Sequence, residues 1–574
     1  MTALLTENLQ LLADSPSGIM KLRELILELA VRGKLVPQDT SDEPASELLR
    51  RIADESTRLV AEGKAKKGNV KASAVAQGVG GFELPATWTW TTFDDLINPE
   101  YPVAYGVLVP GPDVADGVPF VRIADLDLVA PAQKPEKSIS PEVDRQYERT
   151  RIRGGEILMG VVGSIGKLGI APESWAGANI ARAICRLVPS EHVSKGYIIW
   201  LLQSELMRKQ FLGDTRTVAQ PTLNVGLIRI ASTPLPPLAE QHRIVAKVDE
   251  LMALCDRLEA QRGDANRAHT QLVKALLDSL TQASDAADFA TCWLRLAEHF
   301  NSLFTTEASI DTLKQVLLQL AVMGKLVPQD TRDEPACDLL LRVAEEKQSL
   351  VAAGQIRKQK PFGDITEEET PYDLPITWAW TRLGSQVIES GAGWSPSCEA
   401  RPRDGDEWGV LKVSAVSWGI YQPNENKALP SNLEARPDHE VAKGDFLVSR
   451  ANTAELVARS VVVEETPSRL MLSDKIVRLK LTSLCARRYI NIANSTPLAR
   501  SYYSQVAGGT SSSMKNVSRE QILNFPIALP PLAEQHRIVA KVDQLMLLCD
   551  TLKRQINVAN EKKTVLLNAV MAQV

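Results

Sequence analysis

Leu22, Leu25, Ile26, Leu29 and Ala30 fall at i, i+3, i+4, i+7 and i+8, the spacing of one buried helix face. Gly33 stands where that helix should stop. Pro44 fits the first turn of a second helix, where a missing N–H breaks no bond. The pattern returns later in the chain, with Gly324 and Pro335 in the same places. Two longer periodic stretches follow a different rule. Val248, Leu251, Cys255, Leu258, Arg262, Ala265, His269, Leu272 and Leu276 alternate in steps of three and four, as do Val542, Leu545, Cys549, Leu552, Ile556, Ala559, Lys563 and Leu566. That is the seam of a coiled coil, and two near-identical helices predict antiparallel pairing, weakened locally by Arg262, His269 and Lys563. Between the helical stretches lie short apolar runs at 156–162, 180–188, 445–448, 458–463 and 475–481. They read as strands bounded by turns, with helical pieces after them at 196–211 and 486–504. The fold class is therefore α+β: two mixed globules in tandem, each preceded by helical segments, separated and followed by long helices.

The repetition is literal in places. The fifteen residues LPPLAEQHRIVAKVD occur at 235–249 and again at 529–543, and GKLVPQDT occurs at 33–40 and 324–331. ELPATWTW near Leu84 is matched by DLPITWAW near Leu374. The chain is an internal duplication, one structural unit used twice. The boundaries expected are a helical segment at 1–60, a flexible linker at 61–82, a globule at 83–234, a long helix at 235–282, a second helical segment at 283–352, a linker at 353–372, a second globule at 373–528 and a last long helix at 529–574. The globules align in frame but not in loop residues. GGEILMGVVGSIGKLGIAP at 154–172 matches KGDFLVSRANTAELVARSV at 443–461, and GDTRTVAQPTLNVGLIRI at 213–230 matches GGTSSSMKNVSREQILNF at 508–525. One scaffold carrying two different ligands would leave such a record.

Composition narrows the function classes. The 44% hydrophobic and 24% charged content over 574 residues is that of an ordinary globular protein. No apolar run is long enough to span a bilayer, and the first residues lack a signal-peptide pattern, so a cytoplasmic protein is expected. Seven cysteines without a CxxC pair give no zinc cluster or disulfide framework. A net charge of −5 argues against a protein that coats nucleic acid. Residues 84–234 carry 15 Lys+Arg against 16 Asp+Glu, and 373–528 carry 18 against 16; any nucleic-acid reading must rest on a few placed side chains.

Several fragments imitate catalytic motifs. Asn98-Pro99-Glu100-Tyr101 resembles the NPPY element of adenine methyltransferases, but Glu100 replaces a proline and no FxGxG loop precedes it. The segment 160–167 looks like a phosphate loop, yet its glycine spacing is wrong and Leu168 stands where Ser or Thr must hold magnesium. Glu345-Glu346-Lys347 has a nuclease-like E-x-K form on a helix, where a solvated charged face is the simpler reading. His242 and His536 recur without a second ligand beside them and read as helix-surface or subunit-contact residues.

The layout resembles the DNA-specificity subunits of type I restriction–modification enzymes. The resemblance is carried by PPLAEQHRIVAKVD at 236–249 and 530–543, by LAVRGKLVPQDTSDEPASELL at 29–49 and its copy, and by the LP-x-TW-x-W opening of each globule. It covers essentially the whole chain. It implies two target-recognition domains, each reading half of a bipartite, asymmetric site on double-stranded DNA. It also implies a helical spacer, two modification subunits docked on the chain, and restriction subunits in the full complex. The chain itself would be non-catalytic and hold no cofactor or metal. S-adenosylmethionine, ATP and Mg2+ would belong to the partners, which methylate adenine. Residues expected to face DNA are polar or basic, in the divergent loops: Ser164, Lys167, Asn179, Arg182, Arg216, Thr217 and Gln220 in the first globule, and Arg450, Asn452, Lys475, Ser511, Ser512, Lys515 and Asn516 in the second. Arg and Lys suit guanine or phosphate, and Asn or Gln suits adenine. The repeated Pro236, Pro237, Leu238, Glu240 and Gln241, with Pro530, Pro531, Leu532, Glu534 and Gln535, are expected to form the spacer and docking surface. The alternatives are a coiled-coil scaffold without DNA specificity and a fused specificity–methyltransferase enzyme.

Overall fold

The computed structural model describes residues 17–65, 82–213, 222–417, 419–509 and 514–572. The chain divides into two compact units, Met1–Asp264 with Asn560–Val574, and Ala265–Ala559.

In the first unit the helix Gly18–Val31 buries the predicted stripe of Leu22, Leu25, Ile26 and Leu29. It stops at Gly33, which has φ 67° and a Cβ position only 2.5 Å from Pro85 Cγ, so left-handed backbone and close approach both call for glycine. Pro44 lies one residue before the helix Ala45–Ala61, in extended conformation rather than in its first turn; the pre-helical residue needs such backbone, and proline supplies it. The globule is closed at its base by a two-stranded ribbon, Thr89–Thr92 antiparallel to Ser232–Leu235. Above it stands a four-stranded sheet in the order Ala104–Tyr105, Ile184–Leu187, Ile157–Gly160, Leu168–Ile170. Beside that is a three-stranded sheet in which Val118–Val121 pairs antiparallel to Lys137–Ile139 and parallel to Asn179–Ile180. The run 180–188, read as one strand, is thus two strands, in different sheets. The helical stretch 196–211 is likewise two helices, Lys195–Gln203 and Glu205–Leu212, broken where Ser204 caps the second.

The second unit repeats the plan. Ala379–Arg382 pairs with Pro526–Leu529. The larger sheet runs Val387–Ala392, Ile476–Leu481, Phe446–Ser449, Ser460–Val462, and the smaller one Asn426–Ala428, Gly409–Leu411, Leu470–Met471. A further ribbon pairs Ala451–Asn452 with Lys515–Asn516; the first globule has a single bridge there, Val162 to Thr222. The unit also carries the helices Ala286–Ala297 and Glu307–Val322.

The long helices are Leu238–Thr281 and Leu532–Ala572. In the first unit, Ile244, Val248, Leu251 and Cys255 share a core with the helix Gly18–Val31 and with Leu567 from the end of the other long helix. In the second, Ile538, Val542, Leu545 and Cys549 share a core with Ile310, Leu313 and Leu317, and with Val273, Leu277 and Leu280. Within each unit the start of one long helix therefore shares a core with the end of the other. Each pair is joined by a third helix, so it is not a bare two-stranded seam. The heptad reading also drifts. Leu272 and Leu566, expected on the seam, are half exposed, and Val273 and Leu567 are buried instead. A straight helix has 3.6 residues per turn, so a strict seven-residue repeat rotates off the contact line by about 20° per heptad. Equivalent ion pairs tie the third helix on: Arg23 to Asp256 at 2.8 Å, and Lys314 to Asp550 at 2.6 Å.

Candidate nucleic-acid interface

At one end of each globule the backbone makes three equivalent hydrogen bonds, and the first globule adds a fourth, from Arg182 to Val107. In the first, the N–H of Val107 donates to Ile180 O, Arg182 to Val107 O, Val161 to Ala183 O, and Leu223 to Val161 O, all at 2.8–2.9 Å. In the second, Trp394 donates to Leu472 O and Arg450 to Lys475 O, and Val517 donates to Arg450 O, each at 2.9 Å; Asp474 lies two residues past Leu472 as Arg182 lies two past Ile180. Backbone bonds of this kind set where side chains stand without dictating which side chains they are.

This frame gathers most of the described candidates. Arg450, Asn452, Lys475, Lys515 and Asn516 are adjacent through the Ala451–Asn452 ribbon and the Arg450 to Lys475 bond. Lys475 and Asn516 are exposed, and Arg450, Asn452 and Lys515 half-buried. Asn452 already donates to Ser417 Oγ at 2.8 Å, and Lys515 Nζ to Gly509 O at 2.7 Å. In the first globule Ser164, Lys167 and Arg182 are exposed. The phosphate-loop look-alike is a tight turn closed by Gly166 N–H to Gly160 O, and Lys167 Nζ donates to Ile123 O at 2.9 Å. Arg216, Thr217, Gln220, Ser511 and Ser512 lie outside the described residues.

Asn179 is a correction. It is fully buried, donating from Nδ2 to Asp144 Oδ1 at 2.9 Å and to Tyr147 O at 3.1 Å, and accepting from Thr150 Oγ1 at 2.7 Å. A polar side chain this enclosed is a strut and cannot reach a base. Lys347 of the E-x-K fragment is a strut too, donating to Gly384 O and Ser385 O; burial lowers its pKa to about 8.

The repeated block at the foot of each long helix corrects a second expectation. Glu240 accepts from Trp88 Nε1 at 2.9 Å and from Gln38 Nε2 at 2.6 Å; Glu534 accepts from Trp378 Nε1 at 3.0 Å and from Gln329 Nε2 at 2.7 Å. Gln241 accepts from the N–H of Ser194 and donates to Pro236 O, as Gln535 does with Ala486 and Pro530. Arg243 pairs with Asp42 and Arg537 with Asp333. Glu240, Gln241, Glu534 and Gln535 are all fully buried, as are Pro236, Pro237, Pro530 and Pro531, while Leu238 and Leu532 are half-buried. The buried ones cannot be a docking surface. They form a clasp joining the long helix, the VPQDT turn and the tryptophan that opens the globule. Burial raises both carboxyl pKa values, Glu534 to about 7. What the identical block leaves exposed is Ala239, His242, Ala246 and Asp249, matched by Ala533, His536, Ala540 and Asp543; the two aspartates accept from Trp200 and Arg488.

Sequence reasoning passed over Leu108, Val109, Ser395 and Asp474, which are exposed beside the same frame. A glycine soon after TW-x-W in each half, Gly106 and Gly393, was the signal that could have found them.

Among the described residues no cluster of metal-binding side chains occurs, and no helix is long and apolar enough to cross a membrane. The family model described as type I restriction modification DNA specificity domain matches residues 113–265 and 412–561. The chain is 39% identical to the type I restriction enzyme EcoEI specificity subunit of Escherichia coli, across 96% of this chain and 93% of that one. It is 33% identical to the EcoAI specificity subunit of Escherichia coli, over the same shares. A solved chain, the HsdS subunit from Thermoanaerobacter tengcongensis, aligns at 17% identity and TM-score 0.40, covering 86% of this chain and 98% of that one, too distant to add weight. With a family match in each globule and relatives aligned nearly end to end, the chain belongs to the type I restriction enzyme specificity subunits.

Proposed function

We propose that this chain reads a bipartite DNA site, one half with each globule, and holds two modification subunits in register with it. The observation that carries this is a shared backbone frame bearing different exposed side chains in the two globules. Two readers fixed on a helical spacer hold a set phase on the duplex, and base edges are told apart by a few polar side chains. The near-neutral globules suit recognition by placed residues, with partners supplying much of the phosphate contact. The partner subunits bring S-adenosylmethionine and methylate adenine; restriction subunits, with ATP and Mg2+, complete the enzyme. The specificity chain directs this chemistry and performs none of it.

Exposed positions identical in the two units support docking of identical partners. These are Ala239, His242 and Ala246 with Pro37 and Thr40, and Ala533, His536 and Ala540 with Pro328 and Thr331. Internal packing gives no reason for their identity. His242→Glu or His536→Glu alone should lower the stoichiometry of bound modification subunit from two towards one, measured by native mass spectrometry.

The reading function is tested by long-read methylation mapping in a host carrying the chain with its modification subunits. Arg450→Ala and Lys515→Ala should relax the motif in one half-site only. Equal relaxation in both halves would mean that the globules are not separate readers.

A further inference from the structure

The two reading faces can be matched atom by atom through their glycines. A Cβ on Gly106 would lie 1.8 Å from Ile180 O, and one on Gly393 would lie 1.9 Å from Leu472 O. No side chain fits at such distances, so both globules keep glycine and the next residue donates to that same carbonyl, Val107 at 2.8 Å and Trp394 at 2.9 Å. Two residues past the glycine stand Leu108 and Ser395. Two residues past the carbonyl stand Arg182 and Asp474. All four are exposed.

The chemistry at these matched places is inverted. The first globule presents a cation, Arg182, with an apolar pair alongside, Leu108 at 55% exposed and Val109 at 70%. The second presents an anion. Ser395 Oγ donates to Asp474 Oδ1, and the Asp474 N–H donates back to Ser395 Oγ at 3.1 Å. That two-way link holds the carboxylate in one orientation. Among the described residues Asp474 Oδ2 has no partner, and no cation pairs with this carboxylate. A fixed, unpaired carboxylate beside Lys475 is repelled by phosphate, so it does not serve backbone binding. It is suited to accept from an amino group on a base edge.

We propose that Asp474, oriented by Ser395, is a specificity-determining residue of the second globule that accepts a hydrogen bond from the exocyclic amino group of a base in the major groove. Arg182 holds the matching place in the first globule and selects an acceptor edge instead. This rests on the reading of the chain as a DNA-specificity subunit. Cytosine N4 and adenine N6 both offer that amino group, and the position of relaxation tells them apart.

The test uses the full chain with its modification subunits. Methylated motifs are mapped in cells, and the complex is competed between duplexes differing at single base pairs. Asp474→Asn keeps the shape of an exposed side chain while making it a donor as well as an acceptor. It should make one base pair of a single half-site degenerate, with discrimination there falling about tenfold or more. A C·G pair would identify cytosine, and an A·T pair adenine. Ser395→Ala should relax the same base pair to a smaller degree. An unchanged motif, an equal loss of affinity for every sequence, or relaxation in the half-site changed by Arg182→Ala would each overturn the assignment. If the unaltered complex showed no motif, the DNA-reading function itself would fall, and with it this residue's role.

Discussion

At the foot of each long helix the two halves keep the same side chains making the same bonds, whereas at the end of each globule they keep only the backbone. Glu240 and Glu534 accept from equivalent tryptophan and glutamine donors at distances that agree within 0.1 Å. Arg182 and Asp474 share a position and carry opposite charge. The physical difference lies in what makes the bonds. A buried polar network is satisfied only by particular side chains, and losing one member strands the others. A frame built from backbone N–H and C=O groups leaves its outward side chains free to vary. In a duplicated protein the first arrangement resists change and the second permits it, which is why one half-site can differ from the other while the architecture stays common.

The largest effect that would break this comparison is loss of a clasp carboxylate. Glu534→Ala leaves the Trp378 Nε1–H buried without an acceptor and removes the bond from the exposed Gln329; with about 1–3 kcal/mol for the stranded donor and about 1 for the lost bond, it should cost about 2–4 kcal/mol. Glu240→Ala should cost the same by the same route. Urea denaturation of the full chain reads both. If one substitution were harmless and the other severe, the two clasps would not be equivalent despite their matching geometry.

Asn179 offers a sharper cut, because sequence and structure assign it differently. Asn179→Ala removes the partner of Asp144, Tyr147 and Thr150 and should destabilise the first unit by about 1–3 kcal/mol without altering the methylated motif. Arg182→Ala, at an exposed site, should do the reverse: stability within about 0.5 kcal/mol, motif relaxed in one half. A changed motif for Asn179→Ala at permissive temperature would return that residue to the reading face.

Much of this organisation is legible in the sequence alone. The duplication, the stripe of Leu22 to Ala30, the long helices and most strands follow from periodicity and literal repetition. What stayed hidden depended on tertiary partners. Asn179 looks like a loop residue until the parallel pairing of Asn179–Ile180 with Val118–Val121 buries it. The identity of Glu240 and Glu534 reads equally well as a shared docking surface or as an internal clasp, because sequence identity records constraint without saying which side of the surface it acts on. The break within 180–188 and the drift from Leu272 to Val273 share one cause. Which residue faces the core is set by the element packed against it, and local periodicity carries no record of that element. Leu108 and Asp474 were missed because a search for basic, amide and hydroxyl side chains passes over apolar and acidic ones.

A last test addresses the clasp electrostatics. Burial raises the Glu534 carboxyl from an ordinary value of 4.5 to about 7, against the opposing pull of the Trp378 and Gln329 N–H groups and the charge of Arg537. Between those two values the folded chain holds a proton that the unfolded chain has released. Stability linked to this group is therefore greatest below about pH 4.5, declines as pH rises through the interval, and is flat above about pH 7. Glu534→Gln removes the titration, so the difference in unfolding free energy between the unaltered chain and the variant should shift against the unaltered chain as pH is raised across the interval. Glu240→Gln should shift with the same sign, since burial raises that carboxyl as well. A difference moving the opposite way would mean that Arg537, together with the two N–H donors, outweighs desolvation, and the clasp would then be an ion-stabilised network instead of a carboxylate tolerated for the bonds it accepts.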